Sequence, residues 1–261
     1  MNYLKYIKHY AGLATIVWMA TGFFSCSSDF LEEKYIRGGL TTDYTTTAGL
    51  DELSIGMYQN LEFHFWNEWS YTMYNYGTDE MAVGNDGSRE QYNSYTSALN
   101  PDSGDGVSNL WESMYSGISA ANTMIANVPQ YYDKSNALNY NTRLGEGYFM
   151  RGFNYLRLVA QYGGVPLVKE NIPTTDFERS EPKDVYELII ADLKEAYKLL
   201  PPQPAQPGRI TKWAAAHYIA KACLFRASEQ NDAWNSSYKT QDLEDVIKYG
   251  DEVIAAHPLC V

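Results

Sequence analysis

The chain has 261 residues, a net charge of −12 and a sequence pI near 4.8, long enough to bury an ordinary hydrophobic core as one large domain or two small ones. Nucleic-acid binding needs clustered Lys and Arg to neutralise phosphate, so an acidic chain with no basic patch argues against it, and anionic membrane surfaces would repel the chain equally. The unusual entries are 23 tyrosines and six tryptophans, whose flat apolar faces and polar edges suit interiors and also sites that hold a neutral ligand.

Taken in chain order, Lys5, Lys8 and His9 precede an apolar run from Ala11 to Phe24 that ends in Ser25-Cys26. A short basic region, an apolar stretch below the ~20 residues that span a bilayer, and a small residue before the cut describe a secretory signal over residues 1–25. The cysteine that follows resembles the acylated residue of a lipobox, although Phe23 and Phe24 depart from its usual small and aliphatic residues. Cys26 is expected to carry the lipid, whose acyl chains would hold the protein at a membrane. Residues 26–44, with the acidic stretch Ser27–Glu33, read as a lipid-anchored tether, and residues 45–261 as the folded part.

Apolar residues recur at helical spacing from Thr45 to Leu61, through Leu50, Leu53, Ile55, Met57 and Tyr58, with Thr46 or Thr47 placed to cap the start. Residues 62–106 change character. Aromatic residues from Phe63 to Tyr95 are scattered among Gly, Asn, Asp and Ser, which predicts long loops with at most a helical turn, and long ordered loops tend to be functional. Regular helices are then predicted over Val107–Val128, stopped by Pro129, and over Asn139–Tyr162, stopped by Gly163-Gly164, with Val165–Val168 extended. Glu181–Leu200 opens with Pro182 in its first turn, Thr211 caps Lys212–Ser228, and Gln241–Ala256 is the last helix. The final four helices read as two repeated pairs, with Leu156 set over Leu224 and Gly152 over Ala220, at a spacing of about twice the 34 residues of a tetratricopeptide unit. The fold class is therefore all-α: tetratricopeptide-like helix pairs with long aromatic-rich loops.

The segment Arg151-Gly152-Phe153-Asn154-Tyr155-Leu156-Arg157-Leu158-Val159-Ala160-Gln161-Tyr162-Gly163-Gly164-Val165-Pro166-Leu167 resembles the RA-x-x-Y-F-x-L-x-x-x-Y-G-x-V-P segment of the SusD/RagB family of nutrient-binding outer-membrane lipoproteins of Bacteroidetes. Supporting pieces follow in family order: Phe30-Leu31 beyond the lipid cysteine, Thr78-Asp79-Glu80, Trp111 with Tyr115, Ile118 and Asn122, Val185-Tyr186 with Ile189 and Asp192-Leu193, and Gly208-Arg209-Ile210-Thr211 with Trp213. The resemblance implies a SusD-like helical domain over residues 45–261 that captures oligosaccharide, or in some members peptide, on the outer face of the outer membrane. It also implies delivery to a SusC-like TonB-dependent transporter. Family members usually run longer than this chain, which is expected to hold the N-terminal portion of such a module. The rival reading is an adaptor lipoprotein that binds a protein through its helix pairs.

Candidate ligand contacts follow from the same two sources. A sugar presents apolar faces and a hydroxyl rim, so aromatic rings beside amide, carboxylate and guanidinium groups are the side chains that match it. Asn85, Asp86, Arg89, Gln91, Tyr92 and Tyr95 cluster just after Asp79, where the family resemblance implies a ligand-contacting loop; the alternative is that Tyr92 and Tyr95 pack onto the helices. Trp111, at helical spacing with Met114, Tyr115 and Ile118, reads as core. Asp79 and Glu80 are adjacent, whereas glycosidase carboxyls must flank a bond several ångströms apart, so no enzyme activity is expected. Arg151 and Arg157 are expected to pair with buried acids or carbonyls. Asn100, Asp102 and Asp105 could offer oxygens to calcium but fail the EF-hand spacing, the four histidines are isolated, and Cys223 reads as a small buried hydrophobe. No metal and no cofactor is expected.

Overall fold

A computed structural model describes residues 43–66, 68–84, 89–96, 107–172 and 176–257. Every regular element among them is helical. In chain order these are α1 (Thr47–Trp66), α2 (Glu68–Asn75), α3 (Glu90–Ser94), α4 (Val107–Tyr131), α5 (Ala137–Tyr162), α6 (Pro182–Leu199), α7 (Lys212–Arg226), a 3-10 turn (Glu229–Asn231) and α8 (Lys239–Ala256). Helix α5 packs against both α4 and α6, α6 continues onto α7, α7 onto α8, and α1 lies on α4. The proposed signal, Cys26 and the tether as far as residue 42 lie outside the described residues, as do Asn85, Asp86, Asn100, Asp102 and Asp105.

Local chemistry accounts for most of the boundaries. Thr46 Oγ1 accepts from the Gly49 amide at 3.1 Å and so caps α1. Leu50, Leu53 and Met57 form its buried stripe, but Ile55 is 62% exposed because the 3.6-residue period turns it outward. The Asn136 side chain caps α5 by accepting from Asn139 N at 3.1 Å. Pro182 occupies the first turn of α6, where its missing N–H costs nothing. Thr211 stands at the cap position of α7 with extended backbone, yet its side chain makes no capping bond. Helix α4 also runs past Pro129 to Tyr131. A proline in the last turn removes one backbone bond, and Tyr132 N still reaches Val128 O at 3.2 Å.

The segment read as loops is the main departure. Helix α1 continues through Trp66, and α2 and α3 follow. Arg157 explains part of this order: its guanidinium lies 4.4 Å from the ring centre of Tyr74 and 5.3 Å from those of Phe65 and Phe153. It therefore binds α1 and α2 to α5 through aromatic faces, where buried acids or carbonyls were expected. The repeat register also shifts. Leu156 is buried while Leu224 is half exposed, so the two do not occupy equivalent places.

Two buried polar junctions cross the helix stack. The first surrounds Glu146 on α5, which is fully buried. Its carboxylate accepts from Ser54 and Tyr58 of α1 at 2.8 Å each, from Arg209 at 2.9 Å and from Arg143 at 3.2 Å. Arg143 also holds Asp51 at 2.7 Å, and Tyr132 donates to the same Asp51 oxygen at 2.9 Å. The second junction is the bidentate pair of Arg151 on α5 with Asp192 on α6, at 2.7 and 2.8 Å, the buried acid expected for Arg151. Gly152 beside it lets α5 and α6 approach: a Cβ there would stand 3.0 Å from Leu193 Cγ and 3.3 Å from Ile189 O. Cys223 is fully buried, and burial pushes its thiol up to about 12, so it serves as an apolar filler.

Candidate functional site

The end of α5 builds an aromatic surface because two glycines turn the chain there. Gly163 takes φ +69° and its amide returns to Val159 O at 3.1 Å, closing the helix. Gly164 lies so near residue 180 that a Cβ would stand 2.4 Å from Ser180 O. The segment that leaves, Val165–Val168, is extended and held by side chains: Tyr115 donates to Pro166 O at 2.8 Å, the Val168 amide donates to Tyr155 Oη at 2.7 Å, and Asn122 donates to Val168 O at 2.9 Å. Arg151 Nη1 fixes Asn122 Oδ1 at 3.0 Å, so the buried ion pair also anchors this loop.

Above that loop, Trp111 of α4 and Tyr162 of α5 meet edge to face with ring centres 5.1 Å apart. Tyr162 donates its hydroxyl to Val107 O at 2.6 Å, and Arg179 donates to Tyr162 O at 3.0 Å. Together with Ser108 and Pro166 these residues line an open groove of about 480 Å³. Trp111 is half-buried, packed on the core as its spacing predicts, and also lines the groove. Its position in the first turns of α4 was the available signal, since a ring there has helix on one side only. The sequence offers Tyr162 only as a helix end and a motif residue, and gives no sign of Arg179 as a ligand group. Burial raises the Tyr162 hydroxyl, and the neighbouring Tyr74 and Tyr92 hydroxyls add to the shift. Tyr74 of α2 and Tyr92 of α3 are thus within electrostatic reach of the Tyr162 hydroxyl.

The residues predicted from sequence divide by burial. Asp79 is exposed in the bend after α2. Arg89 is buried, with Nη1 donating to Thr72 Oγ1 at 2.7 Å. Gln91 is half-buried and Tyr92 only 5% exposed. Tyr95 is 71% exposed, at φ +48°, and donates its hydroxyl to Gly77 O. Gly77 itself, at φ +74°, approaches the backbone so closely that a Cβ would stand 2.1 Å from Tyr92 O. This double contact ties the bend carrying Asp79 to α3. Among the described residues no group of three His, Cys, Asp or Glu side chains is placed to hold a metal ion.

What the fold and this surface define is an all-α protein with an open aromatic groove at the end of α5. Comparison with known proteins makes the class specific. A family described as SusD-like, starch-binding and associating with the outer membrane matches residues 29–224. The chain belongs to the SusD/RagB family. It is 29% identical to SusD-like protein P2 of Formosa agariphila, over 75% of this chain and 39% of that protein. It is 28% identical to a SusD-like protein of Bacteroides ovatus, over 92% of this chain and 43% of that one. Among solved structures, one determined with xylogluco-oligosaccharide superposes with a TM-score of 0.68 at 24% identity, covering 81% of this chain and 41% of that chain. The chain thus spans about two fifths of the length of the curated relatives it matches.

Proposed function

We propose that this chain is the capturing part of a cell-surface lipoprotein, anchored through Cys26 on the outer face of the outer membrane, that holds a glycan and delivers it to a SusC-like TonB-dependent transporter. The observation that carries the reading is the Trp111–Tyr162 groove, where two aromatic faces stand beside the Arg179 guanidinium on the loop side of the bundle. Such a groove offers stacking for the face of a sugar ring and a donor for its hydroxyls. We count Asp79, Gln91 and Tyr95, in the stretch from α2 to α3, as further contacts for the same ligand, with Asn85 and Asp86 in that stretch of sequence. Family membership and the fold shared with a protein solved with xylogluco-oligosaccharide support a saccharide over other neutral ligands. The net charge of −12 favours a neutral one. Among the described residues no helix is long and apolar enough to cross a membrane, and attachment through the Cys26 lipid needs none. The role is capture, without bond cleavage.

The test is binding of the full chain, in detergent, to an array of neutral oligosaccharides that includes xylogluco-oligosaccharide. Tyr95→Ala and Arg179→Ala alter exposed side chains and should each weaken binding by roughly three- to tenfold, the loss of one polar or stacking contact. A folded protein that binds no glycan on the array would sink the reading and favour peptide or a protein partner.

A further inference from the structure

A second groove opens where the two helix pairs meet, and nothing above assigns it a role. It has a volume of about 600 Å³ and is walled by Tyr186 of α6, Phe225 of α7 and Trp234 of the connection to α8, with Ser228, Gln230 and Asn231 on its rim. Ala160 and Gly163 at the end of α5 also line it, small side chains that leave room beside the rings. Among the described residues no charged side chain lines it.

The groove is rigid before any ligand arrives. The 3-10 turn Glu229–Asn231 is closed by Asn231 N to Ser228 O at 3.0 Å and Trp234 N to Asn231 O at 3.0 Å. Asn235, almost wholly buried, donates to Arg226 O and Ser228 O at 2.9 Å each. Arg226 is locked bidentately to Asp242 of α8 at 2.7 and 2.8 Å, and its guanidinium lies 4.3 Å from the ring centre of Tyr238. A loop of this length held by so many fixed bonds loses little conformational freedom when a ligand binds.

Polar capacity is left over inside it. Tyr186 is 5% exposed, and no described residue hydrogen-bonds its hydroxyl; burial alone pushes that hydroxyl up to about 12. The Gln230 amide and the Ser228 hydroxyl likewise carry no side-chain bond to a described residue, whereas the Asn231 amide is committed to Phe225 O at 2.9 Å. Tyr186 lines the groove, and its hydroxyl, with no hydrogen bond to a described residue, is free to meet a ligand hydroxyl or water there.

We propose that the groove of Tyr186, Phe225 and Trp234 is a second saccharide subsite that takes one neutral pyranose ring, with Trp234 and Phe225 against its faces and Gln230, Ser228 and the Tyr186 hydroxyl at its rim. The uncharged lining selects against uronic and sulfated sugars, which would be desolvated there without a counter-charge. The assignment rests on the reading that the chain captures glycans. The two grooves share no lining residue, Tyr162 bordering one and Gly163 the other, so each takes its own sugar ring.

The test uses the full chain in detergent micelles with 5-fluorotryptophan, the Trp111 and Trp234 resonances being assigned by Trp111→Phe and Trp234→Phe. Xylogluco-oligosaccharide and a panel of neutral and sulfated oligosaccharides are titrated in. The expected result is that neutral members shift the Trp234 signal and sulfated members do not. Gln230→Ala should raise the half-saturating concentration at Trp234 about fivefold, one hydrogen bond's worth, and leave the Trp111 titration unchanged. If Trp111 responds and Trp234 does not, glycan capture stands and the second subsite is overturned. A Trp234 response that ignores both sulfation and Gln230→Ala also overturns it, and silence at both tryptophans removes the glycan reading itself.

Discussion

In its first half α5 presents Arg143 and Glu146 to a buried set of ions and hydroxyls drawn from α1, the α4–α5 turn and the α6–α7 loop. Its last turn presents Tyr162 and Gly163 to two open grooves in which Arg179 is the charged side chain among the described lining residues. The first arrangement pairs the Glu146 carboxylate with four donors from within the protein. The second leaves aromatic faces and at least one hydroxyl without protein partners. One end of the helix is therefore fixed by electrostatics and the other is available for recognition, and substitutions at the two ends should separate stability from binding.

The largest effect is expected at the charged end. Glu146→Ala would leave the half-buried Arg209 with Ser54, Gln206 and the Tyr58 ring, and Arg143 with Asp51. Breaking a buried pair in this way costs about 3–5 kcal/mol, to be read as a fall in the urea midpoint at unchanged slope. A loss below about 1 kcal/mol would show that water already solvates these guanidinium groups, and the contrast between the two ends would collapse. At the aromatic end Arg179→Ala should change stability by no more than about 0.5 kcal/mol, because the side chain is exposed and its bond to Tyr162 O is replaced by water. A clearly larger loss would make Arg179 a structural clasp instead of a ligand group.

How much of this could be read from the chain itself follows the same division. The limits of α5 and α6 were legible because Gly163-Gly164 and Pro182 act locally, through backbone conformation and a missing N–H. The pairing of Arg151 with a buried acid was legible because a cation on an apolar helix face has few alternatives. By contrast, α2 and the extension of α1 were not, since Arg157 lies far along the chain from the rings it joins. Glu146 gave no sign either: its partners Ser54, Tyr58 and Arg209 come from segments that only the folded stack brings together. Within the candidate site, spacing placed Tyr92 and Tyr95 in one loop, but α3 turns Tyr92 inward and the left-handed backbone at Tyr95 turns that ring outward. Trp111 was assigned to the core because helical spacing reports which face a residue lies on, and says nothing about whether the helix has neighbours above its first turn.

The smallest effect tests why tyrosines at the two ends resist ionisation. Tyr132, at the charged end, is pushed up to about 12 by burial first and then by its hydrogen bond to Asp51. Tyr155, beneath the aromatic groove, is also raised to about 12, by burial, while its bond from the Val168 amide and the nearby Arg151 charge oppose the shift. Both folded values exceed the ordinary tyrosine value near 10. The linked stability is thus fully present below pH about 10 and is lost as pH rises from there through about 12. Asp51→Asn removes the charge facing Tyr132 and leaves its burial intact, so in an alkaline absorbance titration one tyrosine should ionise earlier while the Tyr155 group stays in place. If the whole set moved together, the ionisation would be reporting unfolding of the bundle as a unit, and the two ends of α5 would not be electrostatically separate.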